Sequence, residues 1–161
     1  MAGEVKIGVT ENRVLDACCM MEETCAALYR YFEELYASNS AVSELWATMA
    51  REEDNHAQQF RFAYRLQGSG IASLKTDVGR ASSLLAKMED VYRKVQENKP
   101  SIHDAFKFAI KLEYALAEYH MDSIAMFSDK NLEALFVAMR KGDEEHISRL
   151  EQMYCQLFPD G

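Results

Sequence analysis

Apolar residues return every three or four positions along most of this chain, the spacing of one face of an α-helix, and a few polar groups are set into those apolar stripes. The first stripe runs Val14/Leu15, Cys18, Glu22, Cys25/Ala26, Tyr29, Phe32 and Tyr36. Thr10 is placed to cap it, with Glu11 suited to the positive end of the helix. Ser38-Asn39-Ser40 closes this element, and Ser40 is the expected cap of the next. The second stripe carries Leu45, Met49, Glu53, His56, Phe60 and Tyr64, and Gly68 suits a left-handed C-terminal position. Residues 67–80, containing Gly68-Ser69-Gly70, are expected as a loop. A shorter helix over 81–98 follows, with Ala81, Leu84, Met88, Val91 and Val95 on one face, closed by Pro100. Ser101 caps the fourth element, whose stripe is Phe106, Ile110, Glu113, Ala117, His120 and Ile124. Ser128-Asp129-Lys130-Asn131 forms a turn. The last stripe is Leu132, Leu135/Phe136, Met139, Asp143, His146, Leu150, Met153 and Leu157, ending at Phe158-Pro159. The pattern predicts an all-α domain over residues 10–158 behind a short N-terminal arm, residues 1–9.

Short connections make the first two long helices an antiparallel pair, and likewise the last two. Glu22 lies as far before Asn39 as His56 lies after it, so the two are level in the first hairpin. Glu113 and His146 are level about Asp129 to within one residue. Each hairpin therefore sets a lone glutamate beside an acid-x-x-His pair, Glu53/His56 in one and Asp143/His146 in the other. Aligning the two histidines also aligns Leu45-Trp46-Ala47-Thr48-Met49-Ala50-Arg51 with Leu135-Phe136-Val137-Ala138-Met139-Arg140-Lys141, which marks a diverged internal repeat. Two such hairpins joined by a connection of about 34 residues predict a four-helix bundle with one long crossover that contains the short helix.

An acid three residues before a histidine sits on the same helical face, about 4.5 Å of rise below it, so both side chains reach one ion. Acids make up 26 of 161 residues, so one such pair means little; two in matching register mean much more. Glu22, Glu53, His56, Glu113, Asp143 and His146 would converge on the bundle axis. Four buried carboxylates repel one another, and unpaired buried charge is costly. Two divalent cations would neutralise them. Oxygen and imidazole donors with open positions suit iron, with manganese or zinc as alternative occupants. Glu53 and Asp143 are placed to bridge the ions, Glu22 and Glu113 to bind terminally, and each histidine to hold one ion.

Composition narrows the classes. Two prolines and seven glycines among 161 residues agree with helices. A net charge of −8 opposes a nucleic-acid or anionic-membrane partner. The sequence holds no apolar run of bilayer length and no signal-peptide core at Met1–Asn12, so a cytoplasmic location is expected.

The two-glutamate, two acid-x-x-His set resembles the ferritin-like di-iron carboxylate proteins. In detail the chain looks most like their rubrerythrin branch. The resemblance rests on Glu22 ahead of Tyr29-Arg30-Tyr31-Phe32, on Glu53-Asp54-Asn55-His56-Ala57, and on Phe108-Ala109-Ile110-Lys111-Leu112-Glu113, and it covers roughly residues 10–157. It implies two iron ions and a centre that reduces hydrogen peroxide or dioxygen while oxidising ferrous iron. The chain departs from that pattern in three ways. Asp143 stands where the family carries Glu. Ile110 and Leu116 flank Glu113 where a further glutamate is usual. No rubredoxin-like tail is present, so electrons would come from a separate donor protein such as a rubredoxin. An iron store and a helical interaction protein with one metal or none are the alternative functions. The apolar crossover helix suggests a homodimer.

The remaining candidates have plainer readings. Cys18, Cys19, Cys25 and Cys155 form no C-x-x-C pair and are expected as small apolar fillers, with a redox-active thiol as the alternative. His120 is expected as a hydrogen-bonded core histidine, with metal ligation as the alternative. His103 is expected to be exposed. Tyr29 and Tyr119 are expected as core aromatics, with hydrogen bonds to metal-binding groups or a radical-bearing role as the alternatives. The acids around Glu33-Glu34 and Glu52-Glu53-Asp54, Glu53 apart, are expected on solvated faces.

Overall fold

Five helices account for the residues that the computed structural model describes, 9–66, 78–124 and 130–160: α1 (Val9–Leu35), α2 (Ser40–Leu66), α3 (Val78–Glu97), α4 (Ile102–Ile124) and α5 (Lys130–Leu157). No strand occurs among the described residues. Thr10 falls inside α1 rather than ahead of it. The turn after α1 is tight, and its cap is Asn39, not Ser40: the Val42 N–H donates to Asn39 Oδ1 at 3.2 Å. An amide oxygen reaches a free N–H of the first turn as well as a hydroxyl does. At α4 the expected cap holds, because the Asp104 N–H donates to Ser101 Oγ at 3.1 Å. The Ser101 hydroxyl donates in return to Asp104 Oδ2 at 2.9 Å. α3 begins at Val78, three residues before the predicted start, and Lys130 and Asn131 belong to α5 rather than to a turn. The arm before Val9, the Gly68-Ser69-Gly70 segment and the turn at Asp129 lie outside the described residues.

Side-chain contacts fix how the helices run. Arg30 pairs with Asp54 and Arg61 with Glu23, so α1 and α2 are antiparallel. Tyr154 Oη meets His103 Nε2 at 2.9 Å and the Tyr114 hydroxyl donates to Glu151 at 2.9 Å, so α4 and α5 are antiparallel too. Between the hairpins, the Tyr36 hydroxyl donates to the Pro100 carbonyl at 2.7 Å, and the Cys18 thiol lies 3.9 Å from Tyr119 Oη. α1 therefore also runs opposite to α4. α3 lies along α1, where the Tyr31 hydroxyl donates to the Val95 carbonyl at 3.2 Å, and Arg80 ties it to Asp122 of α4.

The predicted stripes form the core with few exceptions. Every position of the first stripe, Val14 to Tyr36, is buried, and so are Met49, Phe60, Phe106, Phe136, Met139 and Leu150. Tyr64 is the clear miss, 43% exposed near the end of α2. Two aromatic layers stand out. Trp46 packs on Tyr29, Phe32 and Phe106 with ring centroids 4.9–5.4 Å apart. At the other end Phe60 packs on Phe136 at 5.4 Å. Each such side chain contributes about 1.5–3 kcal/mol on burial. Trp46 and Phe136 are equivalent positions of the repeat, and because α2 and α5 run in opposite directions they fall at opposite ends. The polar groups of the stripes lie between the two layers. No helix among the described residues is long and apolar enough to cross a membrane.

Candidate metal centre

Each long helix delivers its polar stripe residues to one level: Glu22 from α1, Glu53 and His56 from α2, Glu113 and His120 from α4, Asp143 and His146 from α5. All are buried except His56, whose side chain is 13% exposed. Helical spacing explains the pairs from single helices, because three residues nearly complete a turn. The opposed helix directions explain why the two hairpins meet at this height.

Two sets of three donors form around a common member. Glu22, Glu53 and His56 place one ligand atom each within 4.8 Å of the others, and so do Glu53, Glu113 and His146. His56 Nδ1 lies 3.0 Å from Glu53 Oε2 and 3.7 Å from Glu22 Oε2. His146 Nδ1 lies 3.0 Å from Glu53 Oε1 and 3.4 Å from Glu113 Oε2. One oxygen of Glu53 thus faces each histidine, the arrangement of a carboxylate shared between two cations. Five of the six predicted ligands enter these sets.

Asp143 is the sixth and behaves differently. Its Oδ2 shares a 2.6 Å hydrogen bond with His120 Nδ1 and it belongs to neither set, whereas the sequence reading made it a bridge. Its shorter side chain meets the α4 imidazole before it reaches the shared position. His120 likewise falls in neither set, but its Nε2 lies 3.7 Å from Glu22 Oε1. Ring contacts with Phe60 and Phe136 hold it on the cluster side of that aromatic layer.

The hydrogen-bond accounting is unusual. Both Glu22 oxygens, Glu53 Oε1, Glu113 Oε2, Asp143 Oδ1, His120 Nε2 and His146 Nδ1 are buried with no hydrogen-bond partner in the protein. His146 Nδ1 and Glu53 Oε1 are 3.0 Å apart yet lack hydrogen-bond geometry. Buried polar atoms are normally paired, since leaving one unpaired costs about 1–3 kcal/mol, more for a charged group. Seven such atoms in one cluster fit a donor set for cations. Trp46 Nε1 is the only other buried side-chain atom of this kind among the described residues.

Protons substitute for cations in the electrostatics. Burial, reinforced by Glu53, lifts Glu22 to about 7. Burial with the Glu22 and Glu53 charges lifts Asp143 to about 9. Burial alone would lower His56 and His146, but the facing carboxylates outweigh it and raise them to about 10 and about 12. His120 is lowered, chiefly by burial, and stays a neutral imidazole.

Around the cluster stand three groups with specific tasks. The Tyr29 hydroxyl donates to Glu113 Oε1, one of the predicted ligands. His146 Nε2–H donates to Glu52 Oε2 at 2.9 Å, and Arg149 grips both oxygens of Glu52. Glu52 is therefore no bystander on a solvated face; it fixes the imidazole so that Nδ1 points at the cluster. Gly142 occupies the matching place in the other half of the repeat. A Cβ there would lie 2.7 Å from His56 Cε1 and 2.9 Å from Nε2. Aligning the repeat pairs Glu52 with Gly142, so the sequence held that signal, although only the packing gives it a meaning. Tyr119 receives the Cys18 thiol rather than a cluster carboxylate. Cys18, Cys19 and Cys25 are buried as expected, while Cys155 is exposed. His103 is half-buried against Tyr154 and Phe158.

Comparison with protein-family models, curated proteins and solved structures gives no match.

Proposed function

We propose that this chain is a non-haem di-iron oxidoreductase of rubrerythrin type within a ferritin-like bundle, reducing hydrogen peroxide or dioxygen while ferrous iron is oxidised. The observation that carries the reading is the shared Glu53 carboxylate flanked by buried acid and imidazole atoms that lack protein partners. Glu22 and His56 would hold one iron, Glu113 and His146 the other, and Glu53 would join them. Bound ferrous ions would supply the electrons that reduce an oxygen species.

The chain's own groups then have definite roles. The Tyr29 hydroxyl restrains one oxygen of Glu113 and leaves Oε2 free to turn toward the ions. Glu52, clamped by Arg149, holds the proton on His146 Nε2 and keeps Nδ1 for coordination. The aromatic layers of Trp46 and Phe60/Phe136 shut out bulk water along the bundle axis and strengthen every charge interaction between them. The edge of His56, 13% exposed, is the solvent-facing side of the cluster. Electrons for repeated turnover would arrive from a separate donor protein.

Anaerobic ferrous titration, metal analysis and peroxide turnover with a supplied reductant test the reading together. About two irons per chain, and reductant consumption that continues past one equivalent of peroxide, are expected. A chain that takes up no iron under these conditions refutes it, and mineralisation without sustained turnover turns it into a store.

A further inference from the structure

We propose that His120 is a third imidazole ligand, bound through Nε2 to the same cation as Glu22 and His56, so that the two metal positions are chemically unlike. The inference rests on the metal pair proposed above. His120 is fully buried, and its Nε2 has no hydrogen-bond partner. Its other nitrogen is committed to Asp143 Oδ2 at 2.6 Å. In the tautomer whose Nδ1–H donates to Asp143 Oδ2, Nε2 carries the lone pair. The Nε2 lone pair is then left facing a carboxylate oxygen, a repulsive contact unless a cation sits between them.

Glu22 is the shared point: His120 itself lies outside the Glu22, Glu53 and His56 set, and its ring would close on the ion as it binds. Two ligands each about 2.1 Å from one ion stand at most about 4.2 Å apart. His120 Nε2 is 3.7 Å from Glu22 Oε1, and His56 Nδ1 is 3.7 Å from Glu22 Oε2. The Glu22 carboxylate is thus flanked by one imidazole nitrogen at each oxygen. An acid on the far nitrogen of a metal-binding histidine is a common arrangement that sets the tautomer. His146 has the same arrangement through Glu52.

The repeat sharpens the contrast. His120 follows Glu113 by the same interval that separates Tyr29 from Glu22. Tyr29 donates a hydrogen bond to Glu113 across the bundle, whereas His120 Nε2 stands 3.7 Å from Glu22 Oε1 with no hydrogen bond between them. One position therefore has two nitrogens and the other a single nitrogen with a tyrosine-restrained carboxylate. More imidazole favours the later divalent ions of the first transition row, so the positions should load unequally.

The full chain loaded with cobalt(II) tests this by proton NMR of paramagnetically shifted imidazole N–H groups. His146 and His120 each keep a buried, hydrogen-bonded N–H, so two slowly exchanging shifted signals are expected, beside a faster one from His56. His120→Gln should remove one slow signal and weaken one of the two cobalt ions by at least tenfold. If that variant fails to fold, the wild-type count decides alone. One slow signal at two bound cobalt ions overturns this inference and leaves the proposed function standing; no bound cobalt overturns both.

Discussion

Replacing Gly142 by Ala separates folding from metal binding more cleanly than any ligand deletion. An α-helix interior gains about 1 kcal/mol when Gly becomes Ala. Position 142 lies inside α5, so the helix itself favours the change. Against it stands the His56 ring. The new methyl would sit 2.7 Å from Cε1 and 2.9 Å from Nε2. Ordinary carbon contacts begin near 3.5 Å, so the ring must retreat by roughly 0.7 Å. Without metal that retreat is cheap, because the ring is the far end of a side chain with a solvent-facing edge. With metal it is not, since a ligand atom is held to within about 0.2 Å of its bond length. Gly142→Ala should leave the metal-free chain within about 1 kcal/mol of wild type in urea unfolding, on the stable side. It should weaken the ion at Glu22/His56 by about 10–100-fold and spare the one at Glu113/His146. Calorimetric titration with cobalt(II) at fixed pH reads both. Unchanged affinity at both positions would show that His56 is not a ligand placed as described. An equal loss at both, with a lowered urea midpoint, would show general damage to the bundle.

Three further outcomes are expected. Glu52→Gln removes the charged acceptor of His146 Nε2–H and the partner of Arg149, so the affinity of the Glu113/His146 position should fall about 10–100-fold, again by titration. Tyr29→Phe leaves Glu113 Oε1 without its donor; metal-free stability should drop by about 1–3 kcal/mol in urea, and cobalt loading should recover part of it. The third concerns pH. Glu22, Asp143, His56 and His146 all have folded-state values raised above those of the unfolded chain, so between pH 7 and 9 the folded chain binds more protons than the unfolded one. Stability of the metal-free protein should therefore fall as pH rises through that window, by about 1.4 kcal/mol per pH unit for each extra proton held. Bound cations displace those protons, so the metal-loaded melting temperature should be nearly flat over the same range, and metal affinity should climb with pH. A metal-free chain that grows more stable from pH 7 to 9 would refute this electrostatic account.

The helices, their buried faces and most of the cluster are legible in the spacing of residues along the chain. Apolar spacing in α1 names its buried residues down to Glu22, because helical period and burial are local consequences of one another. The repeat made the level of Glu53/His56 and Asp143/His146 legible, since equal distances from a short turn mean equal heights in an antiparallel pair. What each polar atom touches follows instead from how the helices pack on one another. Asp143 turned to His120 because the α4 imidazole lies within its shorter reach, and no count along the chain contains that distance. Glu52 looked like one more exposed acid because its use depends on His146 and Arg149, which belong to the other hairpin and reach it only when the pairs pack. Gly142 was an ordinary helical glycine until His56 was laid against it. Local order follows from periodicity, while ligand choice depends on ångström-scale contacts between helices far apart in the chain.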